Sequence, residues 1–456
     1  MSGLRGMSGI ARWLRAPRGS STVAAQVATT LAARIVTIVG RTSVFLCAVR
    51  TLQPVEYGYY SLIGATISIA SLVATGNTAS YLIRALPATS PSAQYGTFKK
   101  LLFLVLRANF TLAVLGIGVY AVLCRRMPLI ICLLAVLLLL ELASTLAESF
   151  FLGCNRVYAM NVCVLVRTIL FAAITALLWP LSLVNLNSLI MAWIASDFGA
   201  LVAAYCMMDG QQLRNRSSSD VRMASVAKYS LPLLAASLAL MLMKSGDRYL
   251  VAYFLGVAAV APYDIAYKVV NTIYSLTALV VSTVLVPRVM YGENMGDDRA
   301  RDRSIASGTK LAMCAFGACL AAIIASPSWV WVKVTGHPGY HDVRGLAIVL
   351  GISTLVGVAA NPAQWVLMAK KRTGALAVID TCGAGLIGIL DCVAIPLVGL
   401  YGAAMSTFIG LASTCVAKHA YARSKLLPTL RTFTDWSDEK RFVCGLAQAI
   451  GMFPRG

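Results

Sequence analysis

Seven basic residues lie inside stretches otherwise apolar enough to cross a bilayer: Arg34, Arg41, Arg107, Arg167, Lys244, Arg248 and Lys268. A cation at the centre of a membrane helix costs about 2.5–3.5 kcal/mol on insertion scales. Such residues face a bundle interior or a watery cavity, where they meet an acidic partner or an anionic ligand. Arg34 and Arg41 are seven residues apart, so they project from nearly one helix face. Glu141 and Glu148 repeat that spacing. Either the two pairs neutralise each other across a helix interface, or the arginines line a cavity that takes an anionic headgroup. Lys244, Asp247 and Arg248 share a helical face, where Asp247 can serve either cation. Asp264 and Lys268, at i and i+4, either pair with each other or leave Lys268 for substrate. The substrate-binding candidates are therefore Arg34, Arg41, Lys244, Arg248 and Lys268. Arg107 and Arg167 lie near the expected cytoplasmic ends of their helices and are expected to snorkel to headgroups.

Among the acids, Asp197 is the most central in its block. It either pairs with a cation such as Arg167 or, with Glu141, forms a candidate ion-coupling site. Asp380 and Asp391 have no cation in their own helix and are secondary candidates. No enzyme constellation stands out. His337, His341 and His419 lack the spacing of a zinc site, and the chain has no GxxxxGK[ST] nucleotide motif. The twelve cysteines show no CxxC spacing and read as soft packing residues. Neither a metal nor a cofactor is expected.

The elements that must position these side chains are membrane helices. The 456 residues are 59% hydrophobic, spread in blocks of about twenty, the length that crosses the hydrocarbon core. Twelve blocks are predicted: roughly 22–48, 58–83, 100–123, 128–150, 159–179, 186–207, 229–255, 262–286, 306–328, 343–368, 373–394 and 396–421. Spanning backbone must satisfy its own hydrogen bonds, and uninterrupted apolar blocks favour helices over barrel strands. The net charge of +21 does not signal nucleic acid, because about 27 of the 39 Lys and Arg residues fall on one side and about 5 on the other. Positive loops stay inside, so both termini are predicted to be cytoplasmic. Arg125 and Arg126 depart from that pattern.

The fold expected is an all-α integral membrane protein of twelve helices in two six-helix lobes around a central cavity. Its parts are a basic N-terminal tail (1–21), a first lobe (22–208), a polar linker (209–228), a second lobe (229–422) and a tail (423–456) with an interfacial amphipathic helix. A weak repeat at an offset of 203 residues sets Leu52 to Tyr60 against Leu255 to Tyr263, and Arg41 against Lys244. Pro54 to Tyr60 reads as an outer turn, and Pro362 as a kink within its block.

At Leu52-Gln-Pro-Val-Glu-Tyr-Gly-Tyr-Tyr-Ser61 the chain resembles polysaccharide exporters of the O-antigen flippase type. The resemblance extends to Tyr229-Ser-Leu-Pro-Leu-Leu234, Asp247-Arg-Tyr-Leu-Val251 and Tyr263-Asp-Ile-Ala-Tyr-Lys268, and covers about residues 22–422. It implies two six-helix lobes around a central cavity. It also implies flipping of a polyprenyl-diphosphate-linked oligosaccharide to the outer leaflet of a bacterial inner membrane, in a superfamily that includes multidrug extruders. Membrane lipids, a polysaccharide polymerase and other proteins of a synthesis cluster are the partners it implies. Arg41, Lys244 and Arg248 carry over as cavity candidates; Arg34 rests on charge alone. The alternative is an ion-coupled multidrug extruder of organic cations, which would want an acidic cavity. Here seven intramembrane cations stand against seven acids (Glu141, Glu148, Asp197, Asp247, Asp264, Asp380 and Asp391). A membrane-embedded sugar polymerase or ligase would want a large outer catalytic loop, and the longest, about residues 329–342, is small.

Overall fold

The computed structural model describes residues 23–89, 91–124, 129–208, 223–294, 298–336, 340, 342–369 and 372–425. All regular structure in these residues is helical: α1 (Val23–Thr51), α2 (Pro54–Thr75), α3 (Thr78–Ala85), α4 (Pro91–Cys124), α5 (Leu129–Gly153), α6 (Val157–Leu178), α7 (Leu186–Met207), α8 (Met223–Leu255), α9 (Val257–Asn294), α10 (Asp298–Ala325), α11 (Ser328–Thr335), α12 (Val343–Ala359), α13 (Asn361–Ala369), α14 (Thr373–Val398) and α15 (Leu400–Lys425), with a 3₁₀ turn at Leu86–Ala88. Among the described residues nine segments are long and apolar enough to span a membrane, with α12 and α13 counting as one. The other three expected blocks also form helices, α4, α8 and α9, the last two carrying the charged faces read from the sequence. This is an all-α, multi-pass membrane protein. The basic N-terminal tail, Arg125 and Arg126, most of the linker, His337, His341 and the tail's amphipathic helix lie outside the described residues.

Two blocks are broken helices. The block 58–83 stops at Gly76 and Asn77, both left-handed (φ 55° and 57°), and restarts as α3. The carbonyl of Ala74, freed near that break, accepts a hydrogen bond from Asn109 Nδ2 of α4 at 3.0 Å. A side chain thus supplies what the interrupted backbone lacks, as membrane depth requires. The block 343–368 breaks at Ala360, two residues before Pro362. Proline removes an N–H and clashes with the preceding turn, so a new helix begins with it in the first turn. One expectation is corrected: Pro54 opens α2, and Val55 to Tyr60 are helical rather than a turn. Only Leu52 and Gln53 make the bend, because proline is well tolerated at a helix start.

The chain divides into two compact units, Met1–Leu238 and Ala239–Gly456. In the first, α1 packs on α6, α6 on α7 and α5 on α7. Leu82, Leu101, Leu146, Phe98, Phe150 and Phe151 form a core between α3, α4 and α5, with the Phe98 and Phe150 rings 4.6 Å apart. In the second unit α14 packs on α15, α15 on α12, and α9 on α10 and α12. The repeat read at an offset of 203 has a structural counterpart. The α1–α2 break at Leu52–Gln53 corresponds to the α8–α9 break at Gly256, where φ is 87°.

Helices approach closely, backbone against backbone, at the α14–α15 corner. A Cβ on Gly402 would lie 2.2 Å from the Ala394 carbonyl oxygen, a backbone atom that cannot turn aside. Gly402→Ala is expected to destabilise the protein by about 1–3 kcal/mol, lowering its unfolding temperature in detergent. Gly385→Ala, where a Cβ meets nothing within 4 Å, should leave it unchanged.

Candidate functional site

In the first unit the centre of charge is Arg167 of α6, and its expected snorkelling is corrected. Its Nη1 lies 3.3 Å from Glu141 and 3.7 Å from Asp197, and its Nη2 lies 3.2 Å from Glu148. Ser144 Oγ accepts a further hydrogen bond from Nη1 at 3.4 Å. The spacing of Glu141 and Glu148, two turns apart on α5, presents both carboxylates to one guanidinium. A rigid fork of five donors can serve several acceptors at once, which an ammonium point charge does less well. Asp197 comes in from α7 and is wholly buried. Its carboxyl and that of Glu141 both lie against the same Arg167 Nη1. Asp197 thus takes the Arg167 pairing and shares that arginine with Glu141, the other member of the expected coupling pair.

Arg167 therefore takes the two acids that one of the two expectations set against Arg34 and Arg41. Both arginines are exposed on α1, and among the described residues neither has an ion-pair partner. Arg41 lies within Coulombic range of Arg34, Arg167, Glu141 and Glu148. The adjacency follows from how α1 meets α6: Gly40 sits against Thr168 and Ala172, so closely that a Cβ would come within 2.5 Å of the Thr168 methyl. Small residues at such crossings let membrane helices approach. That contact sets the turn holding Arg41 beside the turn holding Arg167.

The second unit sorts its charges similarly. Lys244 of α8 is exposed and, among the described residues, has no ion-pair partner. Arg248, one turn on, is buried; its Nη2 lies 3.0 Å from Asp264 of α9 and its guanidinium stacks over Tyr267, 4.9 Å from the ring centroid. Lys268 binds the other oxygen of Asp264 at 2.8 Å and remains partly exposed. The i, i+4 pairing of Asp264 with Lys268 is therefore present, and Arg248 joins it. This corrects the expectation that the Asp247 carboxylate pairs with the side chain of Lys244 or Arg248. The Asp247 side chain instead accepts a hydrogen bond from the Tyr263 hydroxyl and another, 2.9 Å long, from the Arg248 backbone N–H. Arg248 is thereby withdrawn from the exposed set.

Two acids resolve differently. Asp380 meets Lys418 of α15 at 2.8 Å, and Lys418 also donates to Gln364 at 3.1 Å. Sequence reading missed Lys418, although its placement inside the last apolar block was a signal that could have found it. Asp391 of α14 is buried near Asp247 and Ser406, with no cation against it among the described residues. Groups of three or more metal-ligating side chains are absent among the described residues.

The chain matches the polysaccharide biosynthesis protein family over residues 23–291. No curated protein sequence matches it. Among solved structures, an inward-facing multidrug-resistance MATE family transporter of the MOP superfamily aligns with TM-score 0.64 at 13% identity, over 92% of this chain and 98% of that one. A MOP-superfamily transporter from Pyrococcus furiosus, described as having a binding pocket of reversed polarity that suggests a different function, aligns with TM-score 0.60 at 11% identity, over 91% and 97%. A Vibrio cholerae MATE transporter gives 0.59 at 12% identity, over 89% and 98%. At these identities the likeness establishes the fold, that of the MOP-superfamily transporters, and the matched residues establish that the chain belongs to the polysaccharide biosynthesis protein family.

Proposed function

We propose that this protein is a flippase, moving a polyprenyl-diphosphate-linked oligosaccharide from the cytoplasmic to the outer leaflet of a bacterial plasma membrane. The carrying observation is the asymmetry of the intramembrane charges. The seven acids and seven cations of the sequence form a tie, but the acids are spent. Glu141, Glu148 and Asp197 surround Arg167, Asp264 holds Arg248 and Lys268, Asp380 holds Lys418, and Asp247 and Asp391 are buried. Arg34, Arg41 and Lys244 stay exposed. The accessible charge is positive, which suits a diphosphate and opposes an organic cation. Arg34 and Arg41, two turns or about 10 Å apart, would engage successive anionic groups of a headgroup. The prenyl tail would remain in lipid while alternating access carries the headgroup across. Membership of a polysaccharide biosynthesis family supports the same substrate class.

Glu141 and Asp197 are the proposed coupling pair. Two facing carboxylates without a proton repel, and one shared proton turns that repulsion into a hydrogen bond. Arg34 and Arg41 of α1, Glu148 of α5 and Arg167 of α6 are the charged groups around the pair. Proton exchange there would alter the hold of Arg167 on α5 and α7, the change a transport cycle needs.

The test is leaflet-resolved analysis of polyprenyl-linked oligosaccharides in cells with and without the protein. Complete repeat units are expected to accumulate on the cytoplasmic face without it and to clear when it is restored. Unchanged intermediates with normal polymer would overturn the flippase and favour the extruder.

A further inference from the structure

Arg107 stands apart from the charges so far placed. It is exposed on α4, and among the described residues its side chain has no ion-pair partner. Helix α4, Pro91–Cys124, contains two lysines and this arginine but no acid. Lys100, Phe103, Arg107 and Phe110 follow one another at spacings of three, four and three, so they form one stripe along the helix. Beside that stripe runs a groove of about 470 Å³, floored by Ala143 of α5 and walled by Phe103, Phe110, Leu139 and Leu201. Its lining is almost wholly apolar, Arg107 included, so the charged end of that side chain lies outside the groove. The neighbouring acid, Glu141, is turned away to Arg167.

We propose that this groove is a binding site for an anionic phospholipid of the cytoplasmic leaflet, its phosphate on Arg107 and one acyl chain in the groove. Snorkelling alone would carry the guanidinium toward Lys100, about 10 Å nearer the helix start. That movement sets the guanidinium closer to a second cation of its own helix. Lys99 and Lys100 lie on the positively charged side of the membrane, where anionic headgroups gather. The apolar walls take a chain below the phosphate, and the exposed rings of Phe103 and Phe110 flank it. Charge complementarity thus selects the headgroup, and the apolar groove takes a chain. The site belongs to the first unit alone and does not depend on what the protein transports.

Native mass spectrometry of the full chain in mild detergent tests it, with phosphatidylglycerol and phosphatidylcholine of identical chains. The wild type is expected to hold phosphatidylglycerol at least about fivefold more tightly, the effect of one cation near the headgroup plane. Arg107→Gln should erase that preference, and groove-filling Ala143→Leu should weaken both lipids. Unfolding temperature in lipid-free detergent shows that each variant is folded; if Ala143→Leu is not, Arg107→Gln alone decides. Equal binding of the two lipids by the wild type, or an unchanged preference in Arg107→Gln, would overturn the site. A polyprenyl phosphate that displaces phosphatidylglycerol with the same dependence on Arg107 would overturn the choice of a bilayer phospholipid.

Discussion

Replacing Arg41 and Lys244 together by alanine is expected to abolish export while the protein remains in the membrane at normal level. Both side chains are exposed and, among the described residues, lack an ion-pair partner, so their removal strands no buried acid. A charge-assisted hydrogen bond to a phosphate is worth about 1.5–3 kcal/mol, or roughly ten- to a hundredfold in binding for each residue. Losing two such contacts takes polymer output below detection. Arg41→Lys should retain most export, because it keeps the charge and gives up only the planar fork. The measurement is polymer yield and the lipid-linked pool, normalised to protein in the membrane. Normal polymer from the double variant would remove these residues from the pathway. Loss of polymer with the lipid intermediate already outside would place the defect after flipping.

Arg167→Gln should be among the most destabilising changes available to the first unit. It leaves Glu141, Glu148 and the wholly buried Asp197 facing one another without their cation. Breaking a buried pair by removing one partner costs about 3–5 kcal/mol, since the remaining charge is uncompensated. Here three helices, α5, α6 and α7, lose their common tie. The expected result is a large fall in folded protein after detergent extraction, measured by fluorescence-detected size exclusion. Adding Asp197→Asn to Arg167→Gln should recover part of that loss by removing the most buried charge. Equal yields for Arg167→Gln and the wild type would show that the cluster contributes nothing to stability, and would weaken the proposed coupling pair with it.

Much of the fold is legible in the chain because membrane insertion reads local composition. An apolar block of about twenty residues must become a helix wherever it lies, so the blocks fall on helices without knowledge of their neighbours. The 203-residue offset is readable for a related reason. A proline at position 54 and a glycine at position 256 interrupt helices by local chemistry, and the breaks appear in matching register. The pairing of Asp264 with Lys268 was also legible, because i and i+4 side chains meet within one helix.

What composition could not decide is which charge meets which across helices. Arg167 looked like a snorkelling residue and proved to be the hub of three carboxylates, because rotation of α6 between α5 and α7 is set by packing along its whole length. Asp247 and Arg248 are adjacent in sequence yet turn their side chains to different partners on α9, Tyr263 and Asp264. The pairing of Asp380 with Lys418 joins helices separated by a turn. A positively charged, all-helical membrane protein of the exporter type can be read from the residues alone. That its acids are spent internally while Arg34, Arg41 and Lys244 remain exposed emerges from how the helices pack. The physical reason is that hydropathy is a property of single segments, whereas ion pairing depends on the relative rotation of several.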